Sequence, residues 1–397
     1  MKRISEWSPR ARRTAEAVLL FIITFLILAW RRPDQLRHPY VWVEEGVVFL
    51  PDYLRHGWAS LLDPVSGYLI TPSKVIFLMA ATLSVDRLPT ISYWLTVLFT
   101  FGVSAAIAFS PSVLKRPYLC AVLALLVPTD AEIFAVSEYA FWWGTLLAVV
   151  ALLWNGRGHL VWRTVLTLIG GLSSPAIALF IPLFALRWLW QRSREDVVVL
   201  VAAVLSAAVQ VVMVKMTAAQ QPRPDFNLEP AVEKFFGLYA STWQPFTVGC
   251  LLIVTVAAFA IQQKRMPIVI LIGLLGATIV ASISRVPVAT MHPLLAGPRY
   301  FFFPYIFLAW LLMQAAMDGQ TWQRVVCTGL LVLGVYQFTE RGQRRHMNFS
   351  WPQEMAACRA DDEMHKVPIH YDGSKNLAWH VDLSGADCRK LKDRSLF

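Results

Sequence analysis

Charge is what this chain has least of. Only 16% of its 397 residues are Asp, Glu, Lys or Arg, while 56% are hydrophobic. Soluble domains carry roughly 25% charged residues, so the composition excludes an ordinary soluble globule and points to a polytopic membrane protein. The five cysteines are too few for a disulfide scaffold. No glycine-rich phosphate loop and no dinucleotide fingerprint occurs, which leaves no motif for a nucleotide or a nucleotide sugar. Metalloprotease motifs and the serine nucleophile elbow are missing too. No internal repeat is evident, which argues against an inverted-repeat transporter. The net charge of +10 is not a nucleic-acid signal. The basic residues sit in short clusters between apolar runs, and no basic soluble face is present.

Long apolar runs take the place of the missing charge. Lys2, Arg3, Arg10, Arg12 and Arg13 precede the first, at 15–30, and Arg31 and Arg32 follow it without a small-residue cleavage site. This reads as an uncleaved anchor. A span needs about 20 apolar residues. Candidates lie at 15–30, 88–110, 117–134, 139–155, 160–173, 174–190, 196–216, 246–262, 267–284, 300–317 and 322–338. The shorter piece 72–85 contains Lys74 and is read as an interfacial or re-entrant helix. With it left out, Lys115, Arg116, Arg157, Arg163, Arg187, Arg192, Arg194, Lys264, Arg265 and Arg324 all fall in inward loops, as the positive-inside rule requires. The expected fold is all-α and polytopic, with about 11 transmembrane helices, the N-terminus inside and the C-terminus outside. Gly170 to Pro175 breaks 160–190 into two helices or one kinked helix.

This topology puts 31–87, 129–138, 217–245, 285–299 and the tail outside. Residues 1–338 form the expected transmembrane domain. The polar tail 339–397 reads as a small ordered extracytoplasmic appendage. Cys120, Cys250 and Cys327 are apolar fillers in or near spans. Cys358 and Cys388 lie together in the outer tail, where the compartment permits a disulfide between them.

Glu44 and Glu45 stand out, adjacent and followed by Gly46, just beyond the first span. Such a pair binds a metal, takes a proton or anchors a cation; otherwise it is a solvated helix N-terminus, where glutamates suit the dipole. The stretch 47–58 has one apolar and one polar face, as an interfacial helix would. Gly67 to Lys74 brings Tyr68 and a lysine to the start of the next interfacial helix, where Lys74 either meets a phosphate or snorkels to headgroups. The loop Pro128 to Tyr139 carries Asp130, Glu132 and Glu138 ahead of the aromatic Phe141-Trp142-Trp143. Oxygen ligands from such a loop suit magnesium or manganese; the plain alternative is a polar loop. Arg285, His292, Arg299 and Tyr300 lie in or beside the last internal outer loop. Arg299 runs against the positive-inside trend, and a cation there needs a partner. That partner is either a phosphate, which the guanidinium fork suits, or one of the outer acids.

Taken in order, the stretches Trp42 to Leu50, Gly67 to Lys74, Asp130 to Gly144, Leu172 to Leu183, Gly297 to Phe301, and Val367 to Ile369 with Trp379 resemble the GT-C superfamily of membrane glycosyltransferases, in a bacterial branch that uses polyprenyl-phosphate sugars. The resemblance implies a hexosyl- or pentosyltransferase in the bacterial inner membrane whose site faces the periplasm or exterior. Its donor would be a polyprenyl-phosphate sugar and its acceptor an envelope glycan or lipid, with no nucleotide and no nucleic acid involved. Carried over, Glu44 or Glu45 is the general base. Arg299, with Lys74 and Arg285, holds the donor phosphate. Asp130 or Glu132, with Glu138, Tyr68, His292 and Tyr300, supports the acceptor or the site. A divalent cation, Mg or Mn, would sit at Glu45 and Asp130 in the branches that use one. The chain departs from the commoner pattern in having Glu-Glu for Glu-Asp or Asp-Asp, and Lys74 for an arginine. Two rivals remain: a flippase for a lipid-linked saccharide, which would want charges at mid-membrane, and a non-catalytic scaffold, which would keep Glu44, Glu45 and Arg299 apart.

Overall fold

A computed structural model describes residues 8–217, 227–344, 346, 348, 350–369 and 379–397. Lys2 and Arg3 of the basic leader and the middle of loop 217–245 lie outside the described residues. The chain runs α1 (Pro9–Arg31), α2 (Pro33–Arg37), a π turn at Glu45–Phe49, α3 (Leu50–His56), α4 (Thr71–Leu83), α5 (Leu88–Phe109), α6 (Pro117–Leu125), α7 (Ala140–Leu152), α8 (Leu160–Gly171), α9 (Ile177–Gln191) and α10 (Arg194–Met216). It continues with α11 (Leu228–Val232), α12 (Leu238–Ala240), α13 (Pro245–Gln263), α14 (Met266–Ile283), α15 (Phe302–Asp318), α16 (Thr321–Arg341), α17 (Trp351–Ala360), the hairpin β1 (Met364–Pro368) and β2 (His380–Ser384), and α18 (Gly385–Asp393).

Among the described residues, six helices are long and apolar enough to cross a membrane. Their outward faces carry bare aliphatic side chains: Val18, Ile22 and Leu26 on α1, Val201 and Leu205 on α10, Val254 and Ile261 on α13. Exposed apolar surface on this scale needs lipid against it, so this is an all-α integral membrane protein. At the centre stands α15, with Phe302, Tyr305, Ile306 and Trp310 fully buried. Helices α7 and α8 cross so closely that a Cβ on Gly170 would lie 2.4 Å from the Ala148 nitrogen. Only glycine fits there. The break at Leu172–Ala176 makes α8 and α9 two helices.

One expected span is not a helix throughout. Over 117–134 the helix stops at Leu125 after nine residues, about 14 Å of rise. Pro128 cannot donate a helical hydrogen bond. The buried Arg31 side chain takes over, donating to the carbonyls of Leu125 and Thr129 at 3.1 Å and also to that of Val127. Irregular backbone at membrane depth is tolerable when protein groups satisfy it in this way. Arg31 and Arg32 are both fully buried, and Arg32 reaches Asp34 and the carbonyls of Ala131 and Phe134. Neither is the plain membrane flank that the sequence suggests.

The bundle has two distinct ends. At one, Lys115 and Arg265 both meet Asp318, and Arg163 and Arg187 both meet Asp196. The 110–116 loop, which carries Lys115, pairs with the chain just after α7 through the Ser112–Trp154 bridge. The other end holds the first long loop and the tail. Cys358 and Cys388 form a disulfide, with Cα atoms 6.1 Å apart, that ties α17 to α18. The tail grips Asp86 through Arg359 (2.6 Å) and Lys392 (2.9 Å), and the Trp351 indole donates to the Val85 carbonyl.

Candidate functional site

A cavity of about 490 Å³ opens at the loop-bearing end. Its walls come from five stretches distant in sequence: the acidic pair, the 65–70 loop, the start of α7, the α8–α9 break with α10, and the end of α14 with the segment after it.

The acidic pair is split by its backbone. Consecutive helical residues point about 100° apart, so the two carboxylates diverge. Glu45 turns inward and is only 4% exposed. Its Oε2 accepts from the Trp42 N–H at 2.9 Å, and its Oε1 accepts from the Glu138 N–H at 3.0 Å and from the Ser137 hydroxyl. Burial raises its pKa against the pull of these three donors. Glu45 thus stitches the first loop to the 137–139 turn, and it does not line the cavity. Glu44 does. A Cβ on Gly46 would lie 2.7 Å from the Ile369 side chain, so the glycine lets the tail seat directly on this turn.

The second wall is Glu138, Tyr139, Phe141 and Trp142. Ser73 on α4 sets it, donating to the Glu138 carbonyl and accepting from the Phe141 N–H at 3.0 Å. Glu138 is 5% exposed, and no donor reaches its Oε2. Its pKa is pushed well up by burial first and then by the negative charge of Glu44.

Cations line the opposite side. Arg285 lies over the Tyr68 ring, 5.5 Å from its centroid, and Lys215 closes the end of α10. Neither has a carboxylate in ion-pair range among the described residues. Burial pushes the Tyr68 phenol up to about 12, with Arg285 pulling it back. Gln210 pins the loop that carries Tyr68 by exchanging two 3.0 Å hydrogen bonds with the Leu69 backbone. Arg299 also faces the cavity beside Tyr300, but it has a partner: it donates to Glu132 at 2.6 Å, and Tyr139 donates to the same oxygen. Of the two partners the sequence leaves open for Arg299, a phosphate or an outer acid, the structure supplies the acid, Glu132. Leu179 of α9 and Val211 of α10 line the cavity and are both exposed, so the cavity has an apolar wall where these two helices meet.

Several expected site residues lie elsewhere. Lys74 is 2% exposed, bonded to the Ser60 carbonyl at 2.7 Å and to Asp52 at 3.4 Å. It ties α4 to α3 and the turn at Ser60, and it does not line the cavity. Asp130 caps the turn at the Glu132 N–H and pairs with Arg344 at 2.9 Å. His292 accepts from the Leu294 N–H in a local turn and does not line the cavity. Glu132 stands behind the wall, bonded to Arg299. Glu45 and Asp130, the expected metal pair, have different partners: Trp42, Ser137 and Glu138 for the first, the Glu132 N–H and Arg344 for the second. No cluster of three or more His, Cys, Asp or Glu residues occurs among the described residues. Sequence reasoning missed the roles of Lys215 and of Ser174 and Pro175 in the cavity wall; the Gly170-to-Pro175 break was the available signal for the latter.

No protein-family model matches the chain, and no curated protein matches it by sequence.

Proposed function

We propose that this protein is a GT-C-type membrane glycosyltransferase that moves a sugar from a polyprenyl-phosphate carrier to a hydroxyl of an envelope glycan or lipid. One observation carries the reading. A single cavity brings the Glu44 carboxylate to the same space as Arg285, Lys215 and Arg299, with an apolar wall where α9 and α10 meet. Base, anion-binding cations and an apolar wall for a lipid tail are the parts such a transfer needs.

The step follows from those parts. Glu44 accepts the acceptor's hydroxyl proton as the oxygen attacks the anomeric carbon, which is general-base catalysis. The new C–O bond forms as the bond to the phosphate oxygen breaks, and its electron pair leaves on the lipid phosphate. Arg285 and Lys215 stabilise that developing charge. Single displacement inverts the anomeric centre. Glu45 has no access to the cavity, so the base is Glu44.

In this reading the end holding Lys115, Arg163, Arg187 and Arg265 faces the cytoplasm of a bacterial inner membrane, as the positive-inside rule favours, and the cavity faces out. The six long helices, α16, α7, α8, α9 and the part-helical 117–134 segment then make about eleven crossings. The test is transfer from a panel of polyprenyl-phosphate sugars to envelope acceptors by the purified protein, followed by linkage analysis. Product with inverted configuration, lost in Glu44→Gln, supports the reading. Undiminished transfer in Glu44→Gln overturns the mechanism. Movement of lipid-linked sugar across vesicles without transfer would replace it with a flippase.

A further inference from the structure

A second hollow, of about 600 Å³, shares no lining residue with the cavity. Gln263, the last residue of α13, donates to the Asp318 carbonyl at 3.1 Å, and α16 begins just after Asp318. Those termini therefore lie at the closed end. The hollow sits toward the opposite termini of α13 and α16, at the end that carries the cavity. Two helix faces wall it. Gln244, Thr247 and Val248 stand at the i, i+3, i+4 spacing that shares a face at the start of α13, and Leu333, Tyr336 and Gln337 do the same on α16. Helix α12 meets α16 so closely that a Cβ on Gly334 would lie 2.8 Å from the Tyr239 ring, and Ala240 of α12 lines the hollow between the two walls. Pro245 disfavours the right-handed helical region for the residue before it, and Gln244 takes the left-handed region at φ +54°. Ser241 clasps this turn, donating to the Trp243 carbonyl at 2.6 Å and accepting from its N–H at 3.1 Å. The Trp243 indole is left standing 79% exposed, and Tyr336 is 54% exposed.

The chemistry of the walls selects the occupant. Among the described residues no charged side chain lines the hollow, so a phosphate or a carboxylate would find no cation there. Gln244, Thr247 and Gln337 have no hydrogen-bond partner among the described residues, and an acyl chain would leave both amides unmatched. Each amide offers donors and an acceptor side by side, which suits neighbouring hydroxyls that both donate and accept. The exposed rings offer flat apolar faces to the C–H side of a sugar. Tryptophan and tyrosine are ordinary at a membrane boundary, but a boundary belt does not call for an amide on each of two opposing walls. We propose that this hollow binds a neutral saccharide chain, stacked on Trp243 and Tyr336 and hydrogen-bonded by Gln244 and Gln337. The inference does not depend on the role of Glu44. Within the transferase reading, the hollow holds an outlying stretch of the acceptor glycan.

The test is saturation-transfer NMR on the full-length protein in lipid nanodiscs, with neutral gluco-, galacto- and manno-oligosaccharides as probes. At least one is expected to bind. Trp243→Ala should weaken that binding about tenfold and Gln337→Ala about threefold, the worth of one ring contact and one neutral hydrogen bond. Trp243 is a surface side chain, so its replacement keeps the melting temperature of wild type. Glu44→Gln, in the other cavity, should leave the binding unchanged. Failure of every probe to bind, or equal binding by wild type and Trp243→Ala, overturns the proposal. Loss of binding in Glu44→Gln with none in Trp243→Ala puts the sugar in the other cavity and overturns it too. So does native mass spectrometry showing a phospholipid retained by wild type and lost from Trp243→Ala, which would assign the hollow to lipid. Binding is read without any sugar transfer, so this proposal and the transferase reading fail separately.

Discussion

The two ends of the bundle hold their cations in opposite ways. At the end without the cavity, Arg163 and Arg187 converge on Asp196, and all three side chains are 1–2% exposed. That cluster is closed, with its charge answered inside the protein. At the other end, Arg285 and Lys215 look into a cavity with no carboxylate in ion-pair range among the described residues, although Glu44 and Glu138 line the same cavity. Matched ions hold helices together. Ions left unmatched beside a cavity are waiting for a ligand to match them.

The strongest way to test this contrast is at the glutamates. Glu44→Gln should lower the transfer rate by about 10²- to 10⁴-fold with the fold intact, measured as product per folded molecule. Glu45→Gln should instead show as lower thermal stability, because it weakens the bonds to Ser137, Trp42 and Glu138. At the closed end, Asp196→Asn strips the carboxylate from two buried guanidiniums. A loss of about 3–5 kcal/mol is expected, read as a lower melting temperature, with no change in ligand affinity for the molecules that stay folded. Removing an open cation should do the reverse. Arg285→Ala is expected to weaken binding of farnesyl phosphate about tenfold, roughly one charge-assisted bond, while leaving farnesol binding and thermal stability unchanged. Equal effects on both ligands would make Arg285 structural.

The smallest effect lies in the pH dependence. Glu138 has a raised pKa in the folded protein, from burial and the Glu44 charge. An unfolded glutamate ionises near about 4.3. As pH rises past that value the unfolded chain gives up a proton that the folded one retains, so folding loses stability. Glu138→Gln has no such term. Its melting temperature should match wild type in acid and exceed it by a few degrees at neutral pH and above. A constant difference across pH would mean that Glu138 is ionised in the folded protein at neutral pH.

Much of this was legible in the sequence, though unevenly. The apolar runs mark the long helices because burial in lipid depends on local composition. The Cys358–Cys388 pairing was legible from two cysteines sharing one polar segment. The acidic pair was visible, but not which member faces the cavity. That choice is made by Ser137 and Glu138, 92 and 93 residues from Glu45. Arg299 was conspicuous, but its partner Glu132 is 167 residues away. Lys74 resembled a ligand because sequence shows its charge and not the Asp52 beneath it. The 117–134 stretch read as one helix because an apolar run carries no sign that a distant arginine will take over its carbonyls.

The seat of Ile369 on Gly46 has a consequence in time. The tail also reaches the first loop through Arg394 and the Tyr53 carbonyl, 341 residues apart. A ribosome therefore makes the turn that bears Glu44 long before its cover. Until the segment around Ile369 and Arg394 arrives and packs, that turn lacks its backing and Asp86 lacks Arg359 and Lys392. A molecule interrupted between Phe303 and that segment would carry every cavity-lining residue and still lack the surface on which the Glu44 turn rests.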